Sequence, residues 1–170
     1  MNSIVWWSTL SLVVTAAVTD VRSRRIPNGL VIPFLAAGLI FALERLGLSG
    51  LTNSLEGIAL AIVPLGALCW LRAMGMGDLK LCAAVGAWVG VEQLGVALVV
   101  TAVAGGVMAI LWAVLHAEVG SSIDGASDLV FGFPARGFRP HSTLTLDNPR
   151  ARTMPWAPAI AIGTIFSFFC

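Results

Sequence analysis

The chain has 170 residues, of which 58% are hydrophobic and 11% are charged, and its mean hydropathy is +0.91. Because soluble domains carry about 25% charged residues, these charges are too few to coat a water-soluble globule. The net charge of +1 and the lack of a basic run argue against a nucleic-acid partner. The apolar residues lie in long blocks, so the sequence predicts an all-α polytopic membrane protein, one domain over residues 1–170, with the lipid bilayer around it.

The apolar blocks predict six membrane spans, since a span needs roughly 20 mostly apolar residues or somewhat fewer. The first block precedes a basic cluster (Arg22, Arg24 and Arg25), the reverse of a signal peptide's charge order, so we interpret it as a retained span. The fourth block reaches an adequate length only if it includes residues 75–80, which places Asp78 below the membrane surface. The predicted spans are 3–19, 29–43, 55–71, 75–91, 94–115 and 154–169.

Polar segments connect these spans. In the first connection, residues 20–28, Pro27 disfavours helix at the residue before it and Asn28 can cap the helix that follows. Residues 44–53 are predicted to form a turn with two glycines. Residues 117–153 are rich in Gly, Ser, Pro and Arg and lack hydrophobic periodicity, so we predict a hydrophilic cytoplasmic loop there.

The basic residues predict an orientation, because cytoplasmic connections of membrane proteins are enriched in Lys and Arg. If the first span ends in the cytoplasm, all but one of the 10 basic residues lie on the cytoplasmic side, the exception being Arg45. We therefore expect both termini to lie outside.

Two carboxylates stand out from the rest, because the topology brings Asp20 and Asp78 to the same membrane face, each at a helix end or slightly within the bilayer. Carboxylates at membrane depth are costly and indicate function by default. A purely structural interpretation is available for each: Asp20 neutralised by a neighbouring arginine, and Asp78 as a helix N-cap. The two residues are 58 positions apart, so only folding can pair them.

Two facing carboxylates suit aspartyl proteolysis. At close range they cannot both stay ionised, so the pair holds one proton. The ionised member draws a proton from a water molecule that attacks the peptide carbonyl, and the protonated member assists the carbonyl oxygen and the leaving nitrogen. This chemistry needs no metal and no organic cofactor. Gly75 and Gly77 precede Asp78 and would let the backbone bend and a peptide approach closely.

With these residues in place, the sequence resembles the type IV prepilin peptidases, members of the wider GxGD group of membrane aspartyl peptidases. The first family motif is matched by Asp20, Arg22, Ile26, Pro27 and Asn28. The second, GxGDxK, is matched by Gly75, Gly77, Asp78 and Lys80, and the segment 154–160 resembles the family's last span.

The resemblance implies a bacterial inner-membrane enzyme that removes the basic leader from type IV pilin-like precursors on the cytoplasmic side. It implies that Asp20 and Asp78 are catalytic and that Lys80 is a supporting residue. An equal alternative for Lys80 is that its side chain extends to the lipid headgroups. The four-cysteine domain of larger members, which also methylate the new N-terminus, has no counterpart among Cys69, Cys82 and Cys170. The sequence is therefore more similar to the compact peptidases of Tad/Flp-type pilus systems, without methyltransferase activity.

Two other classes remain open from the residues. A proton-coupled transporter or channel would also use intramembrane aspartates, but it would place polar residues at several depths. The predicted spans are nearly free of ionisable groups apart from Glu56, and both aspartates lie on one side. A catalytically inactive pilus-assembly factor could keep the same fold. Zinc or serine–histidine chemistry would need His116 or His141, neither of which lies in a metal-binding motif.

Overall fold

A computed structural model of the chain describes residues 3–71, 74–115 and 155–170. Within these ranges every regular element is an α-helix, which confirms the all-α prediction. Three helices are long and apolar enough to cross a membrane, whereas the last, with 11 residues, is shorter. The six-span count and the predicted loop 117–153 stay predictions, and that loop lies outside the described residues. The helices are α1 (Ser3–Ser23), α2 (Asn28–Trp70), α3 (Met76–Leu115) and α4 (Ala157–Ser167).

Helix α2 is broken at Gly47, whose φ of 62° and ψ of −144° are far from helical values. The chain doubles back there, because Gly50 abuts the carbonyl oxygen of Ala42, a residue eight positions earlier that would lie about 12 Å away in a straight helix. The predicted ten-residue turn at 44–53 is therefore wrong in extent. The reversal needs one glycine, since φ is positive there and glycine adopts such values without steric cost.

Helix α3 is broken in the same way at Gly90, with φ of 80° and ψ of −177°. The break separates the amide of Val91 from the carbonyl of Ala87, its partner in a continuous helix. Two adjacent residues of α2 replace that bond. Asn53 Oδ1 accepts from the Val91 amide at 3.2 Å, and Ser54 Oγ donates to the Ala87 carbonyl at 2.8 Å. Both backbone groups are therefore satisfied without water.

Small residues bring the helices into close contact. Gly57 of α2 packs backbone to backbone against Gly86 of α3. Gly163 of α4 packs against Thr101 of α3, and Gly105 of α3 packs against the ring of Trp156, which precedes α4. This is the packing expected in lipid, where close van der Waals approach rather than water exclusion drives helix association. The buried core between α1, α3 and α4 includes Leu12, Val13, Ala16, Leu81, Val85 and Ile160.

The two glycine breaks define one end of the bundle, which we call the break end. A cavity of about 530 Å³ lies beside them, lined by Arg45, Trp88 and also Val5 of α1. Asp20 follows Val5 by 15 residues on the same helix, a distance of about 22 Å at 1.5 Å per residue. Asp20 therefore lies at the opposite end, which we call the aspartate end.

Candidate active site

Asp20 lies in the last turns of α1 and is only 7% exposed. The helix continues to Ser23, three residues beyond Asp20, so the aspartate belongs to the helix and not to the predicted turn. Its Oδ2 accepts a hydrogen bond at 3.1 Å from the backbone amide of Ala157, the first residue of α4. The first amides of a helix lack intrahelical partners, so a carboxylate is well suited to this position.

Asp78 lies in the first turn of α3 and is half-buried. The sequence predicts Asp78 within the fourth span, because residues 81–91 are too short to cross a membrane alone. Helix α3, which begins at Met76, includes Asp78. Gly75 lies just before the helix, and a Cβ built there would lie 3.3 Å from Asp78 Oδ2. The absence of a side chain at Gly75 thus leaves the space beside the Asp78 carboxylate open.

The structure brings Asp20 and Asp78 to the same end of the bundle from different helices. The segments beside them are in contact, since Gly77, next to Asp78, faces Ile26 in the turn that follows Asp20. Asp20 is also held by α4, so three separate helices meet at this point. The arrangement can share a proton between two carboxylates while a backbone amide fixes the orientation of one of them.

The two predicted motifs are also in direct contact. Lys80 Nζ donates to Asn28 Oδ1 at 3.1 Å, and Gly77 faces Ile26, whose Cβ lies 3.4 Å from where a glycine Cβ would stand. The predicted capping role of Asn28 is wrong. Pro27 occupies the N-cap position of α2 with an extended backbone (φ −69°, ψ 132°), no side chain caps the helix, and the Asn28 side chain bonds Lys80 instead.

The remaining motif residues lie nearby along the chain. Arg22 lies in the last turn of α1 and its side chain is exposed. The helix ends as the amide of Arg24 bonds the Asp20 carbonyl at 2.7 Å, with Arg24 at a positive φ of 50°. The turn that leads to Pro27 therefore begins directly after the segment that holds Asp20.

Two contributors to this site had no assigned role in the sequence. One is the Ala157 amide, which as a backbone group has no signature of its own, although its segment resembles the family's last span. The other is Cys69. It is only partly buried, and its thiol donates to the Gly75 carbonyl at 3.6 Å, which ties the end of α2 to the glycine before α3.

These features define a class: a helical membrane protein in which aspartates from separate helices lie at one end of the bundle. Residues 7–110 match the type IV leader peptidase family, and the chain belongs to that family. The match includes Asp20 and Asp78 but not α4.

Three curated relatives show the extent of the similarity, and each is named prepilin leader peptidase/N-methyltransferase. The protein of Pectobacterium carotovorum subsp. carotovorum is 32% identical over 130 residues, which are 72% of this chain and 44% of that protein. The Klebsiella pneumoniae protein is 34% identical over 92 residues, 50% of this chain and 40% of its own length. The Escherichia coli (strain K12) protein is 33% identical over 103 residues, 55% of this chain and 44% of its own length.

The chain thus spans less than half the length of these relatives. No solved structure matches it.

Proposed function

We propose that the protein is an intramembrane aspartyl endopeptidase that removes the leader peptide from type IV, Flp-like prepilins. The observation that carries the proposal is the meeting of Asp20, Asp78 and the Ala157 amide at one end of the bundle. The family membership supplies the class of reaction, and the names of the relatives supply the class of substrate.

The chemistry follows from two carboxylates that share one proton. The ionised member takes a proton from water, and the resulting hydroxide-like oxygen attacks the carbonyl carbon of the scissile peptide bond. The protonated member hydrogen-bonds the carbonyl oxygen as negative charge develops there. The C–N bond then breaks, and the leaving nitrogen takes a proton from the pair. The Ala157 amide holds one oxygen of Asp20, which leaves the other oxygen to serve the reaction.

The open space beside Asp78 supports the entry of an extended peptide. Gly75 carries no side chain, and the backbone of a substrate can therefore approach the Asp78 carboxylate. A substrate whose hydrophobic segment lies in the bilayer would present its leader junction at the membrane surface, where we place the aspartate end.

The proposed topology has six helical segments in the inner membrane, with the aspartate end at the cytoplasmic face and both termini outside. The breaks at Gly47 and Gly90 support it, because each divides a long helix into two segments that reverse direction. The break end, which holds Arg45, would then face the exterior, in agreement with the distribution of basic residues.

Substitution of each aspartate tests the proposal. Asp20→Asn and Asp78→Asn keep the size of the side chain, and an asparagine at position 20 can still accept from the Ala157 amide, so the fold should be retained. Each variant should lower cleavage of a Flp-like precursor by about 1,000-fold or more, as expected when one of two cooperating catalytic groups is lost.

The matched control is Glu44→Gln, which makes the same change at an exposed carboxylate near the break end. It should cleave the precursor normally. If Asp20→Asn or Asp78→Asn processes the precursor at the rate of the unmodified protein, the assignment of the pair is wrong.

A further inference from the structure

The contact between Lys80 and Asn28 joins the two segments that carry the aspartates. Lys80 follows Asp78 by two residues on the first turns of α3, and Asn28 begins α2 directly after the turn that follows Asp20. The hydrogen bond from Lys80 Nζ to Asn28 Oδ1 is 3.1 Å long and links residues 52 positions apart. The close approach of Ile26 to Gly77 joins the same two segments a second time.

The direction of the Lys80 side chain is informative. A lysine near a membrane surface ordinarily extends its ammonium group to the lipid headgroups and water. Here the ammonium group bonds the amide oxygen of a residue on another helix. The charge of the donor makes this bond stronger than one between neutral groups.

We propose that the hydrogen bond between Lys80 and Asn28 sets the distance between Asp20 and Asp78. Lys80 and Asn28 are therefore positioning residues for the aspartate pair. The inference rests on the proposed peptidase function. Catalytic groups lose about 100-fold in rate when they are misplaced by roughly 1 Å. Asn28 follows Asp20 by eight residues across a turn, and Lys80 follows Asp78 by two residues on the same helix. Loss of the bond therefore frees the two carboxylates to move relative to each other.

A double-mutant cycle tests this role. Lys80→Met and Asn28→Leu each remove the bond, and each should lower kcat for precursor cleavage by about 10-fold with KM unchanged within about twofold. The double variant should be no slower than the slower single variant, because the same bond is lost only once. Lys80→Arg should restore most of kcat, since it still donates to Asn28. Arg45→Met, which removes a cation at the break end, is the matched control and should leave kcat unchanged.

Losses that multiply in the double variant would overturn the proposal, as would a change confined to KM, which would indicate a contact with substrate. Should Lys80→Met fail to accumulate, Asn28→Asp provides a second measurement. It keeps the contact as an ion pair, so it should retain kcat within about threefold while Lys80 is present and lose it in combination with Lys80→Ala, which has no donor. Equal activity in both backgrounds would overturn the proposal.

Lys80 is the only lysine of the chain, which permits a chemical test on the intact protein. Acetylation of amines removes the charge of Lys80, whereas amidination keeps it. Acetylation should lower kcat by about 10-fold and amidination by less than about twofold. The Lys80→Arg protein, in which only the N-terminal amine can react, should be unaffected by either reagent. Equal inhibition by both reagents, or inhibition of Lys80→Arg, would overturn the proposal.

The two proposals fail separately. If Asp20→Asn and Asp78→Asn are inactive while Lys80→Met keeps full kcat, the positioning role alone is wrong. If the asparagine variants are active, the peptidase assignment itself falls.

Discussion

The aspartate end and the break end of the bundle both place polar groups within an apolar chain, but they use them in opposite ways. At the break end, the side chains of Asn53 and Ser54 satisfy backbone groups that the interruption at Gly90 leaves without partners. At the aspartate end, a backbone amide from Ala157 satisfies a side chain, Asp20. At one end, side chains supply the hydrogen bonds that the backbone lacks, and at the other, a backbone amide supplies a hydrogen bond to a carboxylate.

This contrast separates stability from activity. An unpaired backbone group within the bundle costs about 1–3 kcal/mol, so the residues of the break end act on the free energy of unfolding. In the proposed function, the residues of the aspartate end position the reacting groups, so small displacements there should act on the rate. Substitutions at the two ends should therefore differ in what they change.

Among substitutions that act on stability, the largest effect is expected for Gly90→Ala. The backbone at Gly90 has a φ of 80° and a ψ of −177°, values almost restricted to glycine, and a Cβ there would overlap the Asn53 side chain. We expect a loss of about 2–4 kcal/mol in the free energy of unfolding, from backbone strain and from displacement of the Asn53 side chain that accepts the Val91 amide. Thermal unfolding in detergent measures this, with Gly106→Ala as the control, because no atom lies within 4 Å of its Cβ position. Equal unfolding midpoints for the two variants would contradict the account of the break.

A smaller loss is expected for Asn53→Leu, which leaves the Val91 amide without its acceptor. The free energy of unfolding should fall by about 0.5–1.5 kcal/mol, because this bond is exposed to solvent, and for Ser54→Ala, whose bond to the Ala87 carbonyl is buried, by about 1–3 kcal/mol. The control is Thr52→Val, since Thr52 is exposed and its hydroxyl bonds only the neighbouring Ser49 carbonyl. The comparison between the two ends fails if Asn53→Leu lowers kcat for cleavage while its unfolding midpoint stays at that of Thr52→Val.

At the aspartate end, Gly75→Ala should change the rate and not the stability. Its Cβ would lie 3.3 Å from Asp78 Oδ2, so the carboxylate must move by a few tenths of an ångström. We expect kcat to fall by about 10-fold with the unfolding midpoint unchanged. Gly66→Ala is the control, because the nearest atom to its Cβ position, on Leu79, is 3.8 Å away. Full activity of Gly75→Ala would mean that this space has no role in the reaction.

Much of the aspartate end could be predicted from sequence, for physical reasons that act locally. The shortness of the apolar stretch 81–91 requires α3 to begin near the second motif, and the structure starts that helix at Met76. The first apolar block likewise ends close to Asp20. Span length and charge distribution together therefore predict which residues share an end of the bundle.

The details that were wrong or unforeseen depend on partners distant in sequence. The break at Gly90 lies close to the predicted boundary between spans 75–91 and 94–115, which Glu92 and Gln93 mark, but the residues that make it tolerable, Asn53 and Ser54, are on another helix. Asn28 is a favourable capping residue by type, yet Lys80 occupies its side-chain oxygen. A local pattern cannot report such competition, because the competing partner is brought near only by folding.

The hydrogen bond between Asp20 and Ala157 also sets an order of assembly during synthesis. The bonds that close the Gly90 break join residues 33 and 38 positions apart, whereas the Asp20 bond joins residues 137 positions apart. At about 5–20 residues per second, the ribosome delivers Ala157 roughly 7–27 s after Asp20. The break end is thus complete while the chain is still being made, and the Asp20 carboxylate gains its amide partner only when α4 reaches the bundle.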